Sequence, residues 1–261
     1  MVKVHIDENV SIKTGEFATE IFDRQNDKEF LSENGVVKIT KQRWSLAQST
    51  EAKHWMDLGK NSNDDRNYEH ASLFNNYKDL ANIKFESVIE LGCGPFTNLR
   101  IIANTTDMSS CSLLDPLIDQ YLTHPYCAYG NKITLNGHKN IKINKLFNIP
   151  AEELPQYQIY DLVVCINVIE HCFDAEAVLN KMYDICLPNG FVVFSEKLHS
   201  YEQAKKSVDE VYDAAHPIRL GKDLFEKFAN KFDIKQNTII SVRNDLIEAT
   251  QDYVYFIGQK K

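Results

Sequence analysis

The stretch Phe85–Pro116, FESVIELGCGPFTNLRIIANTTDMSSCSLLDP, decides the reading of this chain. FESVIEL reads as a strand, and it runs straight into Glu90-Leu91-Gly92-Cys93-Gly94-Pro95. Two glycines let the backbone turn tightly and approach a ligand with no side chain in the way. TNLRIIAN then reads as a helix and CSLLD as a second strand, ending in Asp115, 21 residues beyond Gly94. That is about the spacing at which an acid after a second strand reaches the ribose hydroxyls of a bound nucleoside. A glycine turn alone is a weak signal, shared with ordinary tight turns, and its pairing with Asp115 on the right elements strengthens it.

Downstream the alternation continues. PLIDQYLTH reads as a helix, KNIKINKLF as a third strand, and DLVVCI as a fourth, almost wholly apolar and hence covered on both faces. AEAVLNKMYDICL is the next helix and FVVFSE the fifth strand. After a polar helix come the helix DLFEKFANKF and two more strand candidates, IKQNTIISV and DYVYFIG. Strands alternating with helices predict an α/β fold with a mostly parallel sheet, helices on both faces, and late strands that can run antiparallel. Ligands of such sheets bind beyond the carboxyl ends of the strands.

Upstream of Phe85 the texture is polar and helical. Trp44, Ala47, Glu51, Trp55 and Leu58 recur at helical spacing, so a helix follows Thr40. GKNSNDD breaks it, and a second helix carries Arg66, His70, Leu73, Tyr77 and Leu80 on one face. Residues 1–84 are thus expected to form an N-terminal helical cap on a core of residues 85–261. Arg66 and His70 at one end of an apolar stripe face either solvent or something polar at the ligand edge of the sheet.

Composition narrows the field. Of the 261 residues 43% are hydrophobic and 25% charged, an ordinary globular balance. Lys and Arg number 29 against 37 Asp and Glu, a net charge of −8, which disfavours nucleic acid and anionic lipid as partners. No apolar run is long enough to span a bilayer, and MVKVHIDENV has neither region of a secretory signal. Six cysteines without a CxxC pair read as small core residues of a reduced, cytoplasmic protein; no metal site is expected.

The ligand is not read as a dinucleotide. The third glycine of that fingerprint is absent, and Glu90 sets a carboxylate at the loop entrance that a pyrophosphate would oppose. A cationic group attached to adenosine suits the loop better, as in S-adenosylmethionine. ELGCGP, LLDP, PAEELP and YDLVVCINVIEHC, in this order and spacing, resemble the successive motifs of class I S-adenosylmethionine-dependent methyltransferases. The resemblance spans Phe85 to Glu196 and implies a seven-stranded, Rossmann-like core with S-adenosylmethionine as cofactor.

It also implies roles for individual residues. Glu90, Gly92 and Gly94 would line the methionine end, and Asp115 would accept both ribose hydroxyls, with Pro116 and Leu117 beside the adenine. Ala151 and Glu152 would meet the adenine edge, and Asn167 would sit beneath the sulfonium. The Asp that many members carry is Pro150 here, which leaves Glu152 to replace its bond to the adenine amino group. Read without the family, Glu90 is a helix-capping acid and Asp115 an N-cap. Arg66 is expected to grip the cofactor's carboxylate.

For the acceptor side the sequence offers His171 after the fourth strand, Glu196 and His199 near the end of the fifth, and the loop YDAAHPIR, residues 212–219. His216, His171 or His199 would serve as base for a hydroxyl acceptor, with Arg219 and Glu196 binding the substrate. His171 also reads as a packing residue, and YDAAHPIR as a solvated turn. The expected activity is methyl transfer to a hydroxyl or amine of a small polar acceptor, oxygen favoured, the helix WSLAQSTEAKHW and the HPIR turn resembling bacterial enzymes that act on surface-polysaccharide components. A non-catalytic cofactor-binding regulator and a nicotinamide-dependent oxidoreductase are the alternatives.

Overall fold

The computed structural model describes residues 8–58, 66–135, 137–244 and 249–261; GKNSNDD and the first seven residues fall outside them. Among the described residues the main sheet has eight strands: β1 Val88–Leu91, β2 Ser110–Leu114, β3 Thr134–Leu135, β4 His138–Phe147, β5 Tyr160–Ile166, β6 Cys186–Leu198, β7 Phe232–Asn244 and β8 Ala249–Lys260. Their order is β7-β8-β6-β5-β1-β2-β4-β3. The inner run β4-β2-β1-β5-β6 is parallel, and β8, β7 and β3 join antiparallel. Seven of these are the strands expected from the sequence. The eighth, β3, is a two-residue edge strand too short to leave an alternation pattern.

Helices α1 Glu8–Glu29, α2 Lys41–Lys53, α3 Arg66–Leu73, α4 Leu99–Ile102, α5 Ile118–Tyr121, α6 Ala175–Ile185, α7 Tyr201–Glu210 and α8 Lys222–Ala229 surround the sheet. Side-chain alternation along the strands divides the core in two. Ile89, Leu91, Val163 and Cys165 face α6 and α8 through Val178, Met182, Phe225 and Phe228. Val88, Leu162 and Val164 face the opposite cluster with Phe74, Tyr77, Leu99 and Tyr121. All six cysteines are buried, as small core residues should be. No described helix is long and apolar enough to cross a membrane.

Before β1 the expected helices are shorter than the stripes that suggested them. Thr40 caps α2 by accepting from the Arg43 amide, but after Lys53 the helix widens into a π turn over His54–Leu58. The second helix stops at Leu73, because Asn75, Asn76 and Tyr77 take φ values of 51°, 53° and 55°, the left-handed region that ends a helix. Its buried line is Asn67, Ala71 and Phe74, each one position beyond the expected Arg66, His70 and Leu73, followed by Tyr77 and Leu80 as expected. A small ribbon of Leu31–Ser32, Gly35–Val36 and Arg219–Leu220 ties the segment after α1 to the late loop.

Candidate functional site

The turn after β1 is shaped by an acid beneath it. Glu90 is fully buried, and its carboxylate accepts from the Thr97 hydroxyl, from the Asn98 amide at 2.9 Å and from Asn98 Nδ2 at 3.0 Å. Glu90, expected at the methionine end of the cofactor, braces the start of α4 through these bonds and is not among the residues lining the cavity above it. Gly92 and Gly94 have φ of 65° and 53°. A Cβ on Gly92 would meet Val168 Cγ1 at 2.4 Å, whereas one on Gly94 would meet nothing within 4 Å. Gly92 is thus needed for packing and Gly94 for its backbone angle and an open approach.

At the end of β2, Asp115 Oδ2 accepts from the Gly94 amide at 3.1 Å and Oδ1 from the Leu117 amide at 2.9 Å. Burial pushes its carboxyl up to about 7, against the pull of these amides. Glu152 Oε1 accepts from the amides of Phe173 and Asp174, at 2.7 and 3.0 Å, and so caps the turn before α6. Its Oε2 is buried with no hydrogen-bond partner.

These residues border a cavity of about 330 Å³ at the carboxyl ends of β1, β2 and β5. Its lining includes Gly92, Gly94, Asp115, Pro116, Leu117, Ala151, Glu152, Asn167, Arg66, His171 and His216. Arg66 lies with its guanidinium 4.6 Å from the centre of the Trp55 ring, a cation–π contact at the cavity wall. Asn167, with φ of 57°, turns the chain out of β5 into the segment bearing His171.

The His171 and His216 rings are 4.6 Å apart. His171 is anchored through its carbonyl, which accepts from Trp44 Nε1 at 3.1 Å and Gln48 Nε2 at 3.0 Å of α2. Its Nδ1 stands 3.7 Å from Glu51 Oε2 and makes no hydrogen bond. His216 Nδ1 lies 2.8 Å from the Asp213 carboxylate, which also accepts from the amides of Ala215 and His216. Glu170 sits 3.8 Å from His216 Nε2 and 3.9 Å from His171 Nε2 through Oε1, while Oε2 binds Lys197 Nζ at 2.7 Å. Burial lowers His171; it also opposes charge on His216, but Glu170 and Asp213 prevail and hold that ring above the usual histidine range.

Three expected acceptor-side residues lie outside the cavity lining. His199, 7% exposed, pairs its backbone with Leu220 and Lys222, and burial drives its ring down to about 3. Glu196 is spent on the amides of Val168, Glu170 and Lys197. Arg219 is buried against Ser207, Asp27 and the His216 carbonyl, so it fixes the loop instead of clamping an anion. Conversely, Glu51 and Gln48 emerge as cavity residues the sequence left unassigned. The one signal was an acid, Glu51, within a stripe of Trp44, Ala47 and Trp55.

An α/β sheet with a glycine turn, a strand-end acid and a cavity at their junction defines a nucleoside-cofactor enzyme of the Rossmann-like class. The methyltransferase domain family matches residues 63–221, and the chain belongs to that family. This sets aside the nicotinamide-dependent oxidoreductase. No curated protein sequence matches the chain.

Among solved structures, N-methyltransferase NodS from Bradyrhizobium japonicum, in complex with S-adenosyl-L-homocysteine, has a TM-score of 0.56 at 12% identity, covering 82% of this chain and 98% of its own. The 1,6-didemethyltoxoflavin-N1-methyltransferase of Burkholderia thailandensis has a TM-score of 0.53 at 10% identity, covering 85% and 89%. Coclaurine N-methyltransferase gives 0.53 at 11%, covering 94% of each chain. Identities this low speak to the fold.

Proposed function

We propose that the protein transfers the methyl group of S-adenosylmethionine to a hydroxyl of a small polar acceptor, such as a sugar or a surface-polysaccharide component, in a reducing cytoplasm. The observation that carries this reading is one cavity whose lining brings Gly94 and Asp115 together with His171, His216 and Glu51. In this reading Asp115 and Glu152 Oε2 hold the ribose and adenine, the Gly92–Gly94 turn and Arg66 the methionine end, and Asn167 lies under the sulfonium. Helices of residues 1–84 act as a cap over the acceptor side.

The sulfonium is already an activated donor, so the protein's task is alignment of acceptor and methyl, at about 3 Å, and removal of the acceptor's proton. The Asp213–His216 pair supports a hydroxyl acceptor: Asp213 holds Nδ1, leaving Nε2 to take the proton as attack proceeds. The names of two neighbours, NodS and coclaurine N-methyltransferase, favour an amine as second reading; an uncharged amine needs no base before attack. The net charge of −8 supports a small molecule over nucleic acid as partner.

The test is calorimetric titration with S-adenosylmethionine and S-adenosylhomocysteine, followed by incubation of labelled cofactor with panels of sugars and amines and mass analysis of products. Oxygen-methylated product supports the first reading and nitrogen-methylated product the second. Tight cofactor binding with no turnover on any acceptor would favour a non-catalytic binder.

A further inference from the structure

Glu51, His171 and His216 come from three separate segments, yet each offers one donor atom within 4.8 Å of the other two. We propose that they form a binding site for one divalent transition-metal ion at the acceptor side of the cavity. Donors held about 2.0–2.2 Å from a common ion lie roughly 3–3.6 Å from one another. Glu51 Oε2 and His171 Nδ1, 3.7 Å apart, are already close to that separation, with no hydrogen bond between them.

The surroundings orient these donors as metal ligands are oriented. Asp213 holds His216 Nδ1 at 2.8 Å, which leaves Nε2, with Glu170 Oε1 3.8 Å away, as the donor for the ion; a carboxylate behind an imidazole both fixes the ring and raises its basicity. Trp55 Nε1 donates to Glu51 Oε1 at 2.6 Å, turning the other oxygen toward His171. Trp44 and Gln48 fix the His171 backbone. Glu170, restrained by Lys197, adds negative charge against both rings.

Two imidazoles and one carboxylate suit zinc, manganese, iron(II) or cobalt over magnesium and calcium, which prefer all-oxygen shells. Three protein donors leave a coordination position for a substrate atom. The use of the ion rests on the methyltransferase reading and narrows it to an oxygen acceptor. The hydroxyl oxygen binds the ion and gives its proton to water. Its lone pair forms the O–CH₃ bond, the S–CH₃ bond breaks with its electrons left on sulfur, and S-adenosylhomocysteine results. The two histidines are then ligands, and the ion replaces the imidazole as the means of acidifying the acceptor.

The test uses full-length protein freed of metal with a chelator and titrated with Zn²⁺, Mn²⁺ and Mg²⁺ in a calorimeter, and with Co²⁺ under visible spectroscopy. The expected result is one equivalent bound, with Zn²⁺ and Mn²⁺ preferred to Mg²⁺ and a cobalt ligand-field spectrum. Glu51→Gln, His171→Ala and His216→Ala should each abolish that spectrum, and Asp213→Asn should weaken binding by about 10–100-fold. Circular dichroism and S-adenosylmethionine affinity, measured on the same samples, check that each variant is folded. Absence of stoichiometric binding by the wild-type protein, or binding that survives all three ligand variants, overturns the site. Turnover that resists chelator but is lost in His216→Ala also overturns it, while leaving the methyl-transfer reading intact.

Discussion

Arg43 and Asp213 are 170 residues apart in the chain, yet Arg43 Nη2 donates to the Asp213 carbonyl at 2.8 Å. Its Nη1 donates to the neighbouring Ala214 carbonyl at the same distance, and Nε to Asp27 Oδ1 at 3.1 Å. Arg43 is fully buried, so a guanidinium inside the protein pins the loop that carries His216 to helices α1 and α2. The His216 loop and α2, which both border the cavity, are thus held together by one side chain.

Removing that side chain strands Asp27 and, close by, Asp23, at 3.1 and 3.6 Å, as buried carboxylates without their main counter-charge. Arg43→Met should therefore destabilise the fold by about 3–5 kcal/mol, the cost of breaking a buried ion pair from one side. Urea unfolding monitored by circular dichroism measures it, and a loss below about 1 kcal/mol would show that the loop is held by other contacts.

If Asp115 holds the cofactor's ribose, cofactor binding takes a pH dependence of defined sign. The Asp115 carboxyl titrates at about 7 in the ligand-free protein, because burial raises it. Above that pH it is a carboxylate able to accept from two hydroxyls, and below it one oxygen is protonated. Affinity for S-adenosylmethionine should thus fall by about tenfold from pH 8 to pH 6. The unliganded fold has the opposite dependence: native Asp115 keeps a proton that the unfolded chain releases in the ordinary carboxylate range, so its contribution to stability is lost as pH rises through 7. Asp115→Asn should flatten the binding curve, whereas an unchanged slope in calorimetry would remove Asp115 from the cofactor site.

Arg66 stands at the cavity wall against Trp55. If it grips the methionine carboxylate, Arg66→Lys should weaken S-adenosylmethionine by about 1–2 kcal/mol, since a lysine cannot reproduce the two-pronged contact or the stacking. Decarboxylated S-adenosylmethionine should bind both forms alike. Equal weakening of both ligands would assign Arg66 to the wall alone.

The histidines are separated by position. If His216 is the base, His216→Gln should lower turnover by about 10²–10⁴-fold with cofactor affinity near normal, since the ring borders the cavity but is not among the residues proposed to hold the cofactor. His199→Gln, outside the lining, should keep near-normal turnover in whatever fraction folds. Comparable losses in kcat for the two variants would contradict this division.

How much of this was legible follows from what a linear pattern encodes. Alternation revealed the seven longer strands, and the Gly92–Gly94 turn with Asp115 marked the ligand edge, since these depend on neighbours in sequence. The end of the helix at Leu73 was hidden, because asparagines carry the left-handed turn without a glycine to announce it. Nearness to a strand end suggested Glu196 and His199, but it does not say which way a side chain points: Glu196 turns to the amides of the next segment, and His199 lies beside Gly221. Glu90 was assigned to the cavity because it precedes the glycines, whereas its carboxylate points beneath them. Glu51 and Arg43 act on residues more than 100 positions away, which no local period records.

The contact of Gly92 with Val168 carries a consequence for how such an enzyme can change. The Gly92 turn and the turn leading to His171 fit like the two halves of a hinge knuckle, with no room for one added carbon between them. A change at either turn is therefore transmitted to the other, so that a substitution enlarging Val168 must be tolerated by the glycine turn. α2 and the His216 loop border the same cavity without that constraint, and they are freer to vary.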